Sequence, residues 1–155
     1  MLEVEVLRVI QPGERELPWV LLRHENRVLP IVIGILEATA IQYALMGEKV
    51  VRPMTHDLAC NLLAGLRGKL TSISVYSLKD STFFAHLNIE QMNSEGQVDQ
   101  VLRIDSRPSD AIAIALRTGS PIFVAEEVMD DAGREINFFS LDEEDEEEGE
   151  DFSGE

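Results

Sequence analysis

Ile104-Asp105-Ser106-Arg107-Pro108-Ser109-Asp110-Ala111-Ile112-Ala113-Ile114-Ala115-Leu116-Arg117-Thr118-Gly119-Ser120-Pro121-Ile122-Phe123-Val124 is the stretch whose reading decides the fold. Pro108 suits the first position of a helix, because its fixed φ matches and its missing N–H would go unpaired there. Asp110 then stands at the third position, where a carboxylate reaches back to free backbone N–H groups and faces the positive helix end. Ala111 to Leu116 is apolar without a break, and a helix apolar on every side is buried on every side. Gly119 closes it, and Pro121 leads into the strand-like run Ile122-Phe123-Val124. A buried central helix therefore points its N-terminus, carrying Arg107 and Asp110, at a candidate site.

Working outward, the chain before this stretch reads as strands, two helices and more strands. Leu2, Val4 and Val6 alternate with Glu3 and Glu5, the period of a half-buried strand. The alternation fails at Leu7-Arg8-Val9-Ile10, which predicts a bulge or burial on both sides. Leu17 to His24 and Arg27 to Ile33 complete an antiparallel meander, and Pro30 places the last strand at an edge or a bulge. Gly34 opens a helix that Gly47 closes. Glu37 falls in line with Ile41 and Ala44 on its apolar stripe, either as a first-turn acid favoured by the helix dipole or as a carboxylate facing a site. A second helix runs from about His56 to Leu66, with Thr55 as N-cap, Asp57 in the first turn and Leu58, Leu62 and Leu66 as its apolar face. Cys60 within it reads as a small buried hydrophobe. Lys69 to Leu78 and Ser81 to Gln91 form a hairpin across Lys79-Asp80. Phe83, Ala85, Leu87 and Ile89 share one face of its second arm, and His86 belongs to the other, surface-facing side. Val98, Leu102 and Ile104 mark the next strand. Ala125 to Asp131 reads as a short helix stopped at Gly133, and Ile136, Phe138 and Phe139 are the last core candidates. The expected fold class is α+β, a single compact domain of antiparallel meanders packed with three main helices.

With 155 residues the chain is long enough for one domain with a real core. No run approaches the roughly 20 apolar residues of a membrane span. The segment Met1-Leu2-Glu3-Val4-Glu5 lacks the basic-then-apolar pattern of a signal peptide. A single cysteine excludes an intrachain disulfide. Together these lead to the expectation of a cytoplasmic protein. Net charge is −16, and ten of the 29 acidic residues follow Leu141. The segment 141–155 cannot bury enough apolar surface to offset chain entropy and reads as an acidic disordered tail. Residues 1–140 read as the domain, with 19 acids against 13 Lys and Arg, or −6. Long-range attraction to nucleic acid is not expected of such a body.

The central stretch has an echo. Arg52-Pro53 precedes Thr55 and Asp57, a helix with Leu66-Arg67-Gly68, and a strand. Arg107-Pro108 precedes Ser109 and Asp110, a helix with Leu116-Arg117 and Gly119, and a strand. The echo describes two helix–strand units, each with an Arg, a hydroxyl and an Asp at its mouth. Helix N-termini attract anions because several N–H groups point outward without a partner, and a guanidinium fork matches a phosphate. The same residues also suffice for simple capping. Arg107 at the N-cap position resists that reading, since Arg is a poor N-cap. There is no phosphate-cradling Gly-rich loop, no paired Cys or His zinc spacing and no nucleophile elbow. His24 and His56 have no convincing Ser or Cys partner by spacing, so a histidine-based triad is not expected.

Arg107-Pro108-Ser109-Asp110-Ala111, continued by Leu116 to Glu126, resembles the bifunctional nuclease domain family. So do Leu29-Pro30-Ile31-Val32-Ile33-Gly34 with Glu37-Ala38, and Arg52-Pro53-Met54-Thr55-His56-Asp57-Leu58. The resemblance implies an α+β fold, a homo-oligomer and hydrolysis of RNA and DNA. It supplies no catalytic set, so the candidates come from the residues themselves. Arg107, Asp110 and Glu37 are the candidate catalytic groups. Arg52, Thr55, His56 and Ser109 are the candidate substrate-binding residues. Asp57, Asp110 and Glu37 are candidate ligands for Mg2+ or Mn2+, whose charge would offset the acidic body. Glu126 and Glu127 are reserves, and Asp105 stands behind the site. The alternative is a non-catalytic oligomeric scaffold or anion-sensing module in which the same Arg–Asp pairs lock helix entries.

Overall fold

The structure, a computed structural model, describes residues 1–139. The expected acidic tail, 141–155, lies outside the described residues. The chain runs β1 (Leu2–Ile10), β2 (Trp19–His24), β3 (Arg27–Val32), α1 (Ile35–Met46), α2 (Thr55–Gly65), β4 (Gly68–Lys79), β5 (Thr82–Met92), β6 (Val98–Ser106), α3 (Pro108–Thr118), β7 (Ile122–Val124), α4 (Glu126–Ala132), β8 (Arg134–Glu135) and a 3-10 turn, Ile136–Phe139. The strands form one eight-stranded sheet in the order β6-β5-β4-β7-β1-β2-β3-β8. Its pairs are antiparallel except β4 with β7. This is the α+β single domain expected.

Two former meanders thus become one sheet through β7. Because β4 follows α2 and β7 follows α3, the two echoed helix–strand units lie side by side with their strands parallel. The β1 bulge falls between Val6 and Arg8, within the expected break in alternation. Pro30 pairs with Leu21 on one side, while β8 reaches only Arg27 and Val28 on the other. The missing N–H of Pro30 is therefore harmless, as on any edge. The β4–β5 turn is Asp80-Ser81, one residue later than expected. Both have positive φ, 50° and 62°, the backbone of a two-residue turn whose twist matches the strands it joins.

Helix α3 occupies the core. Ala111, Ile112, Ala113, Ile114 and Ala115 are buried in succession, because α1 and α2 flank the helix and β4 and β5 lie beneath it. Gly119 ends it in the left-handed region (φ 66°), as Gly47 ends α1 (φ 65°). Helix α2 departs from expectation. Leu58, Leu62 and Leu66 are 50%, 57% and 67% exposed. Ala59, Cys60 and Leu63 pack against the core instead, since two small side chains let the helix approach α3 closely. Burial pushes the Cys60 thiol above its ordinary pKa. At the C-terminal end Phe139 meets Trp19 edge-on at 6.3 Å, whereas Phe138 is 66% exposed and is not a core residue.

Candidate functional site

Each of the three main helices carries an acid at its third position: Glu37 in α1, Asp57 in α2 and Asp110 in α3. The N-termini of these helices converge on one cleft of about 300 Å³. It is lined from α1 by Leu36 and Glu37, from the start of α2 by Met54, Thr55 and His56, and from α3 by Arg107 and Asp110. A second cleft of about 320 Å³ opens on the far side of the Arg107–Glu37 pair, between Gly34 and the β4–β5 turn, and includes Ser109.

Arg107 is the N-cap of α3 and caps nothing with its side chain. Its guanidinium instead joins two helices. Nε donates to Asp110 Oδ2 at 2.9 Å and Nη2 to Asp110 Oδ1 at 3.3 Å, while Nη1 donates to Glu37 Oε1 at 3.1 Å. These contacts raise the Arg107 pKa, the hydrogen bond with Asp110 above all. Glu37 thus lines the cleft while it also stands in the first turn of α1. It folds back over Gly34, where an added Cβ would meet its carboxylate. The other oxygen demand on Asp110 comes from α2, because His56 Nε2 lies 2.8 Å from Asp110 Oδ1. Burial acts most strongly on Asp110 and would raise its pKa. The hydrogen bonds and charges of His56 and Arg107 together outweigh it and hold the carboxyl below its ordinary range. Asp110 is therefore an acceptor, and the proton of the pair sits on His56 Nε2.

Asp57 belongs to a different arrangement. Its Oδ2 accepts the Met54 N–H at 2.9 Å, so Met54 rather than Thr55 is the N-cap of α2. Its Oδ1 accepts from Arg117 Nε at 2.9 Å. The Met54 hydrogen bond is the largest influence holding its pKa down, and Arg117 adds to it against burial. Arg117 also donates to Ala113 O at 2.9 Å and Ala40 O at 3.1 Å. One nearly buried guanidinium thus ties α1, α2 and α3 together.

The expected three-carboxylate set of Glu37, Asp57 and Asp110 is accordingly split. Among the described residues no group of three or more His, Cys, Asp or Glu is placed to hold a metal ion. The guanidinium of Arg107 already stands between the Glu37 and Asp110 carboxylates. These residues, so arranged, do not fit a Mg2+ or Mn2+ site.

Of the other candidates, Thr55 and His56 line the first cleft and Ser109 the second, while Arg52 lines neither. Asp105 pairs with His86 across β6 and β5, and Glu126 and Glu127 open the separate helix α4. Sequence reasoning missed Arg117. Its spacing held a clue, since residues 110 and 117 share one face of a helix two turns apart. Consecutive residues at the mouth of α2 then meet both, His56 with Asp110 and Asp57 with Arg117.

The family profile described as "Bifunctional nuclease domain" matches residues 20–137. The chain belongs to the bifunctional nuclease domain family. Glu37, His56, Arg107 and Asp110 all fall within the matched segment. Two uncharacterized proteins, from two strains of Mycobacterium tuberculosis, are 42% identical over 129 residues, covering 82% of this chain and 72% of theirs. The family suggests a nuclease-like role, and among the described residues no helix is long and apolar enough to cross a membrane.

Proposed function

We propose that this protein hydrolyses phosphodiester bonds of RNA or DNA, with Arg107, Asp110, His56 and Glu37 as its working residues. The observation that carries the reading is the His56–Asp110 pair at 2.8 Å beside the exposed Arg107 guanidinium, in one open cleft. With Nε2–H committed to Asp110, Nδ1 is the remaining ring nitrogen of His56, an acceptor in the unprotonated ring. That nitrogen serves as general base toward an attacking water or ribose hydroxyl, and Asp110 fixes the tautomer and steadies the imidazolium that results. Arg107 has five N–H groups, of which three are engaged by Asp110 and Glu37. The remaining two face an incoming phosphate. Arg107, Asp110 and Glu37 together carry −1. The three helix N-termini, each about +0.5, offset this and admit an anion. Glu37 orients Arg107 between substrate and Asp110.

The test is cleavage of RNA and of DNA by purified protein in Mg2+, in Mn2+ and in EDTA. Wild type, His56→Ala and an Arg107→Ala/Asp110→Ala double variant are compared. The reading expects cleavage by wild type, reduced about 100-fold or more in His56→Ala. Equal cleavage by the variants would show the activity to be a contaminant. The EDTA arm decides whether a divalent cation takes part.

A second reading, a non-catalytic module that assembles with copies of itself, is favoured by one observation. Leu36, Val51, Leu58, Leu62 and Leu66 lie exposed on and beside α2, and apolar side chains gathered on an exposed surface mark an interaction site. Light scattering of wild type against Leu58→Glu/Leu62→Glu tests it.

A further inference from the structure

The second cleft, of about 320 Å³, lies across the Arg107–Glu37 pair from His56 and has no part in the phosphodiester reading. Two helix mouths open on it, α1 at Gly34 and α3 at Arg107 to Ser109. The mouth of α1 is filled from within, because the Glu37 carboxylate folds back over Gly34. The mouth of α3 is not. Asp110 turns its carboxylate to Arg107 and His56, and no side chain caps the helix. The first backbone bond into α3 runs from Ala111 N–H to Arg107 O at 3.1 Å. The N–H groups of Ser109 and Asp110 are left without a helical acceptor.

The Ser109 side chain points to the same place. The residue is only 7% exposed, yet its hydroxyl has no hydrogen-bond partner among the described residues. No fully enclosed side-chain oxygen or nitrogen among these residues lacks a partner. The hydroxyl is therefore reached from outside, and Ser109 lines this cleft. A nearly buried polar group kept without a protein partner needs one from outside the chain.

We propose that this cleft is a binding site for a phosphate monoester. Such a group has three terminal oxygens, where a diester or a carboxylate has two. Ser109 Oγ–H, Ser109 N–H and Asp110 N–H supply three donors, at a helix N-terminus that favours an anion. Arg107 lines both clefts and sets its charge beside the same spot. Glu37 brings the one negative charge among the lining residues, and Arg107 Nη1 holds it at 3.1 Å. The acidity of the whole body acts at long range, where salt screens it, whereas these donors act in contact. The cleft also has room beyond a phosphate, walled by Leu17, Val32 and Phe83. Leu17 and Val32 are exposed there, and the three side chains take the apolar body of the ester.

The experiment is a titration of the isotope-labelled full chain with phenyl phosphate and with phenol, followed by backbone amide NMR. Phenyl phosphate is expected to move the Ser109, Asp110 and Phe83 amides and to saturate at about 1 mM, the strength of a few charge-assisted hydrogen bonds. Phenol is expected to move none of them. Ser109→Ala is expected to weaken binding about tenfold. Wild-type affinity in a folded Ser109→Ala, equal binding of phenol, or no binding at all would overturn the proposal. So would shifts confined to Met54, Thr55 and His56 in the first cleft, a result read on wild type alone. A short oligodeoxythymidylate with and without a 5′-phosphate separates the sources. Ser109 shifts from the phosphorylated form alone support a strand end as occupant, and shifts from neither form support a small phosphate ester. Equal shifts from both would mean that a diester suffices and would overturn the monoester site. No arm depends on cleavage, so this site and the phosphodiester site fail separately.

Discussion

Helices α2 and α3 begin alike and end up doing opposite things. An Arg-Pro pair stands at the entry of each, both carry an acid at the third position, and each feeds one of two adjacent parallel strands. In α3 five successive residues are buried, and in α2 none is. The acid of α3 takes its arginine from its own N-cap and holds it in the open, with Arg107 65% exposed. The acid of α2 takes its arginine from the end of α3, and Arg117 is only 11% exposed. One Arg–Asp pair is thus available to a ligand, and the other is a clasp. The same local sequence grammar serves both, and the neighbours decide which is which.

The comparison can be broken at several points. Ile112→Ala in α3 should cost about 2–5 kcal/mol, the range for emptying a filled core site, whereas Leu62→Ala in α2 should stay within about 0.5 kcal/mol. Denaturant unfolding reads both, and a Leu62 cost matching Ile112 would mean that α2 is covered. Arg117→Ala should cost roughly 2–4 kcal/mol, because it leaves Asp57 without its cation and two carbonyls without donors. Arg107→Ala should cost under about 1 kcal/mol in the same assay, as exposed pairs do. Reversed magnitudes would exchange the roles of clasp and site.

Acid sharpens the same contrast. Asp57 and Asp110 both have folded-state pKa values below their ordinary range. Each stabilises the fold fully above its unfolded pKa, near 3.9, and that contribution disappears as pH falls through the lower folded value. Thermal stability should therefore decline below about pH 4, and Asp57→Asn and Asp110→Asn should each flatten the decline. Gly34→Ala is the mildest change. Its Cβ displaces the Glu37 carboxylate from over α1, so the Arg107–Glu37 contact should weaken with little loss of stability, seen as a shift in the Glu37 carboxyl NMR resonance.

Local chemistry made much of this legible. Pro108, Gly119, Gly34 and Gly47 each mark a helix boundary, and the structure keeps them, whereas Asp110 gives its carboxylate to Arg107 and His56 instead of capping the first turn. The stripe of Leu58, Leu62 and Leu66 was legible as a stripe, but not as the outward one. Periodicity marks a face without naming its neighbour, and Ala59 and Cys60 give α2 its close approach. Glu37 and Asp57 looked equivalent for the same reason. Only the tertiary arrangement sends one to Arg107 and the other to Arg117. His56 had no partner by spacing because Asp110 lies 54 residues away.

The most direct measurement is the rate of phosphodiester cleavage by His56→Ala beside wild type, with unfolding transitions recorded for both. The account predicts a loss of about 100-fold or more with the transition nearly unchanged. Equal rates in the two proteins would contradict it.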